Sequence, residues 1–192
     1  MITIGVTKKS GPSALEMLTK LRKLRGSDVL VGIPTDKVQR SGDKINNASL
    51  AFIHENGSSL AHIPARPFLK PGIENARQLI AKQLAAAGQA VLEGNPAGAT
   101  QFLNKAGQVG VNSVKRMFDN NTWPANAPST IKQKGSDRPL IDTGQMKRAI
   151  SYVVRENNTT ISGESSKEEV IAKTPTKIGA VEEVEEAAES VL

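Results

Sequence analysis

Three prolines, Pro64, Pro67 and Pro71, fall within eight residues immediately before the longest run of helical apolar spacing in the chain. Each ring fixes its own φ and biases the preceding residue towards extended geometry, so Ile63 to Arg66 is predicted to run extended at little entropic cost. Upstream, Asn47 to Asn56 reads as a short helix in which Leu50, Ala51, Ile53 and His54 give a partial apolar face, with Asn56-Gly57 as its stop. Downstream, Leu69, Ile73, Ala76, Ile80, Leu84, Ala87 and Val91 recur every three or four residues and share one face of a long helix. Pro71 is tolerated there because it falls in the first turn. The stretch from Asn47 to Gly72 is thus a stiff hinge between two helices that holds one arginine, Arg66, and one phenylalanine, Phe68. Such a hinge serves either internal packing or the docking of a partner.

The remaining pattern is of mixed type. Ile2, Ile4 and Val6 alternate with Thr3 and Gly5, the period of a half-buried strand. Ser13 and Glu16 fit a capping box, and Leu15, Leu18, Leu21 and Leu24 line one side of the helix that follows, as far as Arg25; Gly26 ends it. Asp28 to Ile33 is β-branched and apolar, a strand stopped by Pro34, and the polar Thr35 to Lys44 reads as a mobile loop. After the long helix, residues 94–98 (GNPAG) form a break, and a second helix runs to about Asp119 with Leu103, Gly107, Gly110, Val114 and Met117 or Phe118 inward. Gly107 and Gly110 each weaken it by about 1 kcal/mol relative to alanine, which implies close approach of another backbone. Asn120 to Pro139 reads as an irregular loop holding the only tryptophan, Trp123, which can anchor it to its own body or to a neighbour. Asp142 and Thr143 are suited to cap a short helix. Ile150 to Arg155, a turn at Asn157-Asn158, and Thr159 to Ser162 form a hairpin. The fold class expected is α+β: a small, mostly antiparallel sheet packed against a long helical hairpin over residues 1–163, with an extended acidic C-terminal tail over 164–192.

Charge is segregated along the chain. Residues 164–192 carry eight carboxylates against three lysines, a net −5, which leaves +11 on the rest of a chain whose total is +6. A basic body with an acidic tail can bind nucleic acid, or can pair the tail of one copy with the body of the next. In that tail Val184, Ala187, Ala188 and Val191 fall on one face of a short helix that would be marginal by itself. The absence of cysteine excludes disulfides and thiolate chemistry and fits a reducing compartment. No apolar run approaches the roughly 18 residues of a bilayer span, and the start of the chain lacks the apolar core of a signal peptide, so a soluble protein of a cytoplasm is expected.

Candidate chemistry is sparse. His54 and His62 are the only histidines, and His54-Glu55 opens like a zinc-protease helix, but position 58, where a second ligand belongs, is Ser58. No Gly-x-Ser-x-Gly elbow, phosphate-cradling glycine loop or carboxylate pair of telling spacing occurs. The expectation is a protein that is not an enzyme, with no catalytic, metal or cofactor residues. The pI near 9.6 suits DNA, yet aromatics for base stacking are few and no reading-head motif is present, so sequence-specific recognition is not expected.

Two segments carry a resemblance. The run ENG…IPARPFL, together with WPANAPSTIKQKGSDRPLIDTGQMKRAISYVV from Trp123 to Val154, resembles the virion-morphogenesis proteins of tailed bacteriophages, the small neck and tail-completion proteins between head and tail. The likeness spans roughly Ser27 to Val154. It implies a structural role, with about six or twelve copies in a closed ring around the DNA channel, assembled in the host cytoplasm and kept in the virion neck. The partners implied are further copies, head-completion or connector proteins, and a tail terminator or tail tube. Genomic DNA would pass through unread, and no membrane would be involved. On that basis Arg66, Phe68, Trp123, Lys132, Lys134 and Arg138 are the candidate subunit-interface residues. The acidic extension departs from the family pattern, in which the chain ends soon after the strands that follow Asp-Thr-Gly. The other reading compatible with the charge is a basic, nonspecific DNA-binding protein.

Overall fold

The computed structural model of the chain describes residues 13–40, 45–119 and 123–164. The strand expected at the N-terminus and the acidic tail both lie outside the described residues. Within them the order is helix α1 (Ala14–Arg25), strand β1 (Ser27–Gly32), helices α2 (Asn47–Asn56), α3 (Leu69–Leu92), α4 (Pro96–Met117), α5 (Pro128–Lys134) and α6 (Gln145–Ala149), and strands β2 (Ser151–Glu156) and β3 (Thr159–Gly163). The fold is α+β, as the apolar periods imply. Three antiparallel strands in the order β1-β2-β3 pack against the long pair α3 and α4.

β1 lies beside the late hairpin strand β2, with Ser27 opposite Glu156 and Gly32 opposite Ser151. The β2-β3 turn places Asn157 and Asn158 at φ 48° and 65°, the left-handed region that asparagine tolerates best among residues with a side chain. Asp28 and Arg155 face each other across the β1-β2 pair, and the guanidinium grips both carboxylate oxygens, at 2.9 and 2.6 Å. On the face that meets the helices, Val29 and Val154 pack with Ala87 and Leu103, while Tyr152 lies over α4. The main core gathers Phe68, Val111, Val114, Phe118, Leu140, Met146 and Ile150.

Helix α3 meets its neighbours largely through small residues, Gly72, Ala76, Ala87 and Ala90, which let two helices approach closely. Leu84, expected inward with them, is exposed instead. The glycines also act differently from expectation. Side chains, not a backbone, fill the space beside Gly107 and Gly110: the Tyr152 ring at the first, Val31 and Ile73 at the second. The close backbone approach falls at Gly72, where a Cβ would lie 2.7 Å from the Val114 Cα.

Three loop expectations are corrected. The segment after β1 is tied down through residue 40: Thr35–Lys37 forms a 3-10 turn, and the buried Asn47 amide donates to the Lys37 and Gln39 carbonyls at 3.1 and 3.0 Å. The long loop before residue 139 contains α5, which begins on Pro128 and ends on Gly135 at φ 65°, the usual proline-in, glycine-out arrangement. The cap of α6 is Gly144, at φ 73°, with no side-chain bond from Asp142 or Thr143; Asp142 faces Arg40 at 3.6 Å. The carboxylate lies where a buried guanidinium needs a counter-charge, which outweighs a local cap.

Candidate functional site: the hinge and loop junction

The hinge after α2 is fixed by three devices. Gly57 turns the chain at φ 77° in a position where a Cβ would meet the Ala65 nitrogen at 2.9 Å. Ser58 and Ile63 then exchange backbone bonds of 2.9 and 2.8 Å, closing a small loop with Leu60 exposed near its tip. Finally the Arg66 amide donates to the His54 carbonyl at 2.6 Å, so the proline segment returns against the helix it left.

The Glu55 carboxylate sets the next element. Its Oε2 accepts from the Phe68 and Leu69 amides, each at 2.8 Å, and its Oε1 from the Lys70 amide at 2.9 Å. These are free donors at the start of α3, and a carboxylate there also meets the positive end of the helix dipole. Helix α3, whose own cap residue Phe68 offers no side-chain oxygen, is thus capped from α2.

Arg66 joins the hinge to the distant loop. Its side chain is buried, with the residue only 5% exposed, and its Nε and Nη2 donate to the carbonyls of Pro124 and Ala125 at 3.0 and 2.9 Å. Phe68 is buried beside it in sequence, and its ring lies 4.8 Å from that of Phe118, tilted by 58°. Trp123 is half-buried against the same core. Its indole nitrogen is buried without a hydrogen-bond partner. Asn126, also buried, donates to the Asp137 carbonyl at 3.2 Å and closes the loop across α5.

The charge at the junction is positive. Burial, followed by the charges of Arg66, Lys134 and Arg40, lowers the His54 pKa to about 4, so the imidazole is neutral, with a buried and unpartnered Nδ1. Burial likewise lowers the pKa of Lys134, with Asp142 opposing and Arg66 reinforcing that shift. The Lys134 ammonium donates to the Arg138 carbonyl at 2.8 Å. Of the six residues singled out in the sequence, Arg66, Phe68, Trp123 and Lys134 are therefore turned wholly or partly into the body, while Lys132 and Arg138 are exposed. His54, Glu55, Arg40 and Asp142, which the same region recruits, carried no local sign of it: each acts on an element remote in sequence.

Comparison of the chain with family models, with curated proteins and with solved structures finds no match. No described helix is long and apolar enough to cross a membrane. Chemically, the junction is a latch. It ties two loops to each other with charge-assisted bonds and leaves Lys132, Arg138, Pro64 and Pro67 exposed.

Proposed function

We propose that the chain is a structural subunit of the neck or tail-completion region of a tailed-phage virion, acting as a closed ring around the DNA channel. The observation that carries the reading is the Arg66 latch. The two segments whose residues resemble that family, 58 positions apart at the Arg66 to Pro124 bond, are tied to each other by the Arg66 side chain. Loops held in place before assembly lose little freedom on docking, and a ring interface must be made many times over from two different faces of the same subunit. The outward lysine and arginine of the second loop, Lys132 and Arg138, then meet a neighbouring protein or copy, while Arg66 and Phe68 act by holding the loops in shape. Assembly takes place in the host cytoplasm and the finished protein resides in the virion neck, beside connector and tail proteins.

Electron microscopy of lysates from a phage carrying an early stop codon in this reading frame tests the proposal. Filled heads lying apart from finished tails, or abnormally long tails, are the expected outcomes. Intact joined particles overturn it. The +11 charge of the body supports a second reading, nonspecific DNA binding. Tight retention of the isolated monomer on duplex DNA at physiological salt, lost steeply as salt rises, favours that reading instead.

A further inference from the structure

Helix α1 is well capped, yet it leaves large apolar side chains exposed. Its first turn is closed by a complete capping box: the Ser13 amide donates to the Glu16 carboxylate at 2.8 Å, and the Glu16 amide to the Ser13 hydroxyl at 3.2 Å. Its later part is fastened, since the Lys20 ammonium donates to the Leu92 carbonyl at 3.3 Å and the chain passes through Gly26 directly into β1. Yet Leu15, Met17 and Leu18 are 71, 40 and 54% exposed. A 12-residue helix is marginal in water unless its apolar side is covered, and among the described residues nothing covers Leu15 and Leu18. Leu15, Leu18, Arg22 and Arg25 follow one another at intervals of three, four and three and so share a face; that face is apolar at its start and basic at its end, and both arginines are exposed.

The sequence supplies a complement. Val181, Val184, Ala188 and Val191 repeat the same intervals, and Glu182, Glu183, Glu185, Glu186 and Glu189 fall between them with no lysine or arginine. We infer that residues 181–192 of a second copy dock on the Leu15, Leu18, Arg22 and Arg25 face of α1. The apolar stripes cover each other, and the glutamates meet Arg22 and Arg25. The described chain ends at Glu164, near Lys115 at 3.8 Å and Ser151 at 3.4 Å, by the Gly32-Ser151 end of the sheet, whereas α1 enters at the Ser27-Glu156 end. Residues 165–180 can span roughly 50 Å when extended, ample to reach a neighbour. The inference rests on the ring reading in taking the donor to be a neighbouring copy. Donor and acceptor are different surfaces, as a heterologous contact requires.

Sedimentation velocity of the full-length chain at low and high salt tests it. Two double variants are needed: Leu15→Lys with Leu18→Lys on the acceptor, and Val184→Lys with Val191→Lys on the donor. Each is expected to weaken self-association at least about tenfold, the combination no further than either alone, and the wild-type association to weaken with salt. Mixing the two variants restores one contact per pair and so stops at dimers. The substituted α1 positions are exposed, so circular dichroism and melting should match the wild type. Association unchanged in either variant overturns the docking while leaving the ring reading intact. A wild-type chain that stays monomeric at every concentration overturns both.

Discussion

Helix α1 and the hinge between α2 and α3 both carry large apolar groups beside cations, and they dispose of them in opposite ways. The hinge turns Phe68 and Arg66 inward, the ring onto Phe118 and the guanidinium onto two carbonyls of a loop far along the chain. Helix α1 holds Leu15 and Leu18 in solvent. The difference lies in what the rest of the chain brings to each. The Trp123 loop and α4 close over the hinge, whereas on α1 Lys20 reaches the end of α3 while Leu15 and Leu18 stay exposed. A stripe of apolar residues therefore says which side wants cover, and only the distant chain decides whether cover arrives from within the molecule or has to come from another.

The comparison breaks most readily at Arg66. Replacing it with alanine removes two charge-assisted bonds and leaves the Pro124 and Ala125 carbonyls without them, a loss of about 4 kcal/mol. The urea midpoint should fall accordingly, with the slope unchanged. Because Trp123 precedes Pro124, its emission in the native state should move to the red as the loop is released. A variant that keeps both its midpoint and its emission would show that the core grips the loop without the latch.

Much of the fold was legible because its causes are local. Apolar spacing located α3 and the strands β1, β2 and β3 to within a residue or two, and Ser13 with Glu16 announced the start of α1. The expected break over residues 94–98 was too long: α4 begins on Pro96, capped by Asn95. The junction was legible only in its residues. Arg66 and Trp123 stood out by rarity and by the stiffness around them, but nothing in the sequence aims Arg66 at residue 124 or Glu55 at an amide 13 positions on. The reading of Asp142 as a cap failed for the same reason: Arg40, a hundred positions away, competes for it. Glycine was misread through its neighbours. A ring fills the space beside Gly107, while the tight backbone approach belongs to Gly72, which sits inconspicuously in the first turn of α3.

The buried imidazole sharpens the contrast through pH. His54 is neutral in the folded chain, with its pKa lowered to about 4 by burial first and the nearby cations second. Unfolded, it would titrate near 6.5 and so bind a proton that the folded form refuses. Its contribution is whole above that value and is lost as pH falls towards 4, by as much as about 3 kcal/mol over the window. Denaturation midpoints measured at intervals from neutral pH to 5 should fall for the wild type and fall less for His54→Leu. Parallel curves would mean that the histidine is not the linked group.

Glu55 offers a smaller break within the same hinge. Alanine there frees the three amides that open α3 and removes a negative charge from the positive end of its dipole, for about 2 kcal/mol. Hydrogen exchange should quicken at residues 68–70 before it quickens in the middle of the helix. Uniform change along α3 would instead indicate that the cap supports the fold as a whole.

At the other extreme, Leu18→Lys alone should shift the stability of the isolated chain by no more than about 0.5 kcal/mol, because the side chain already stands in water. A loss comparable with that at Arg66 would mean that α1 is covered by its own chain, and the opposition between hinge and helix would dissolve. A neutral melt accompanied by weaker association would place its missing cover outside the molecule. The same leucine would then be silent in the monomer and necessary in the assembly, the reverse of Arg66, whose bonds are all made before a second copy arrives.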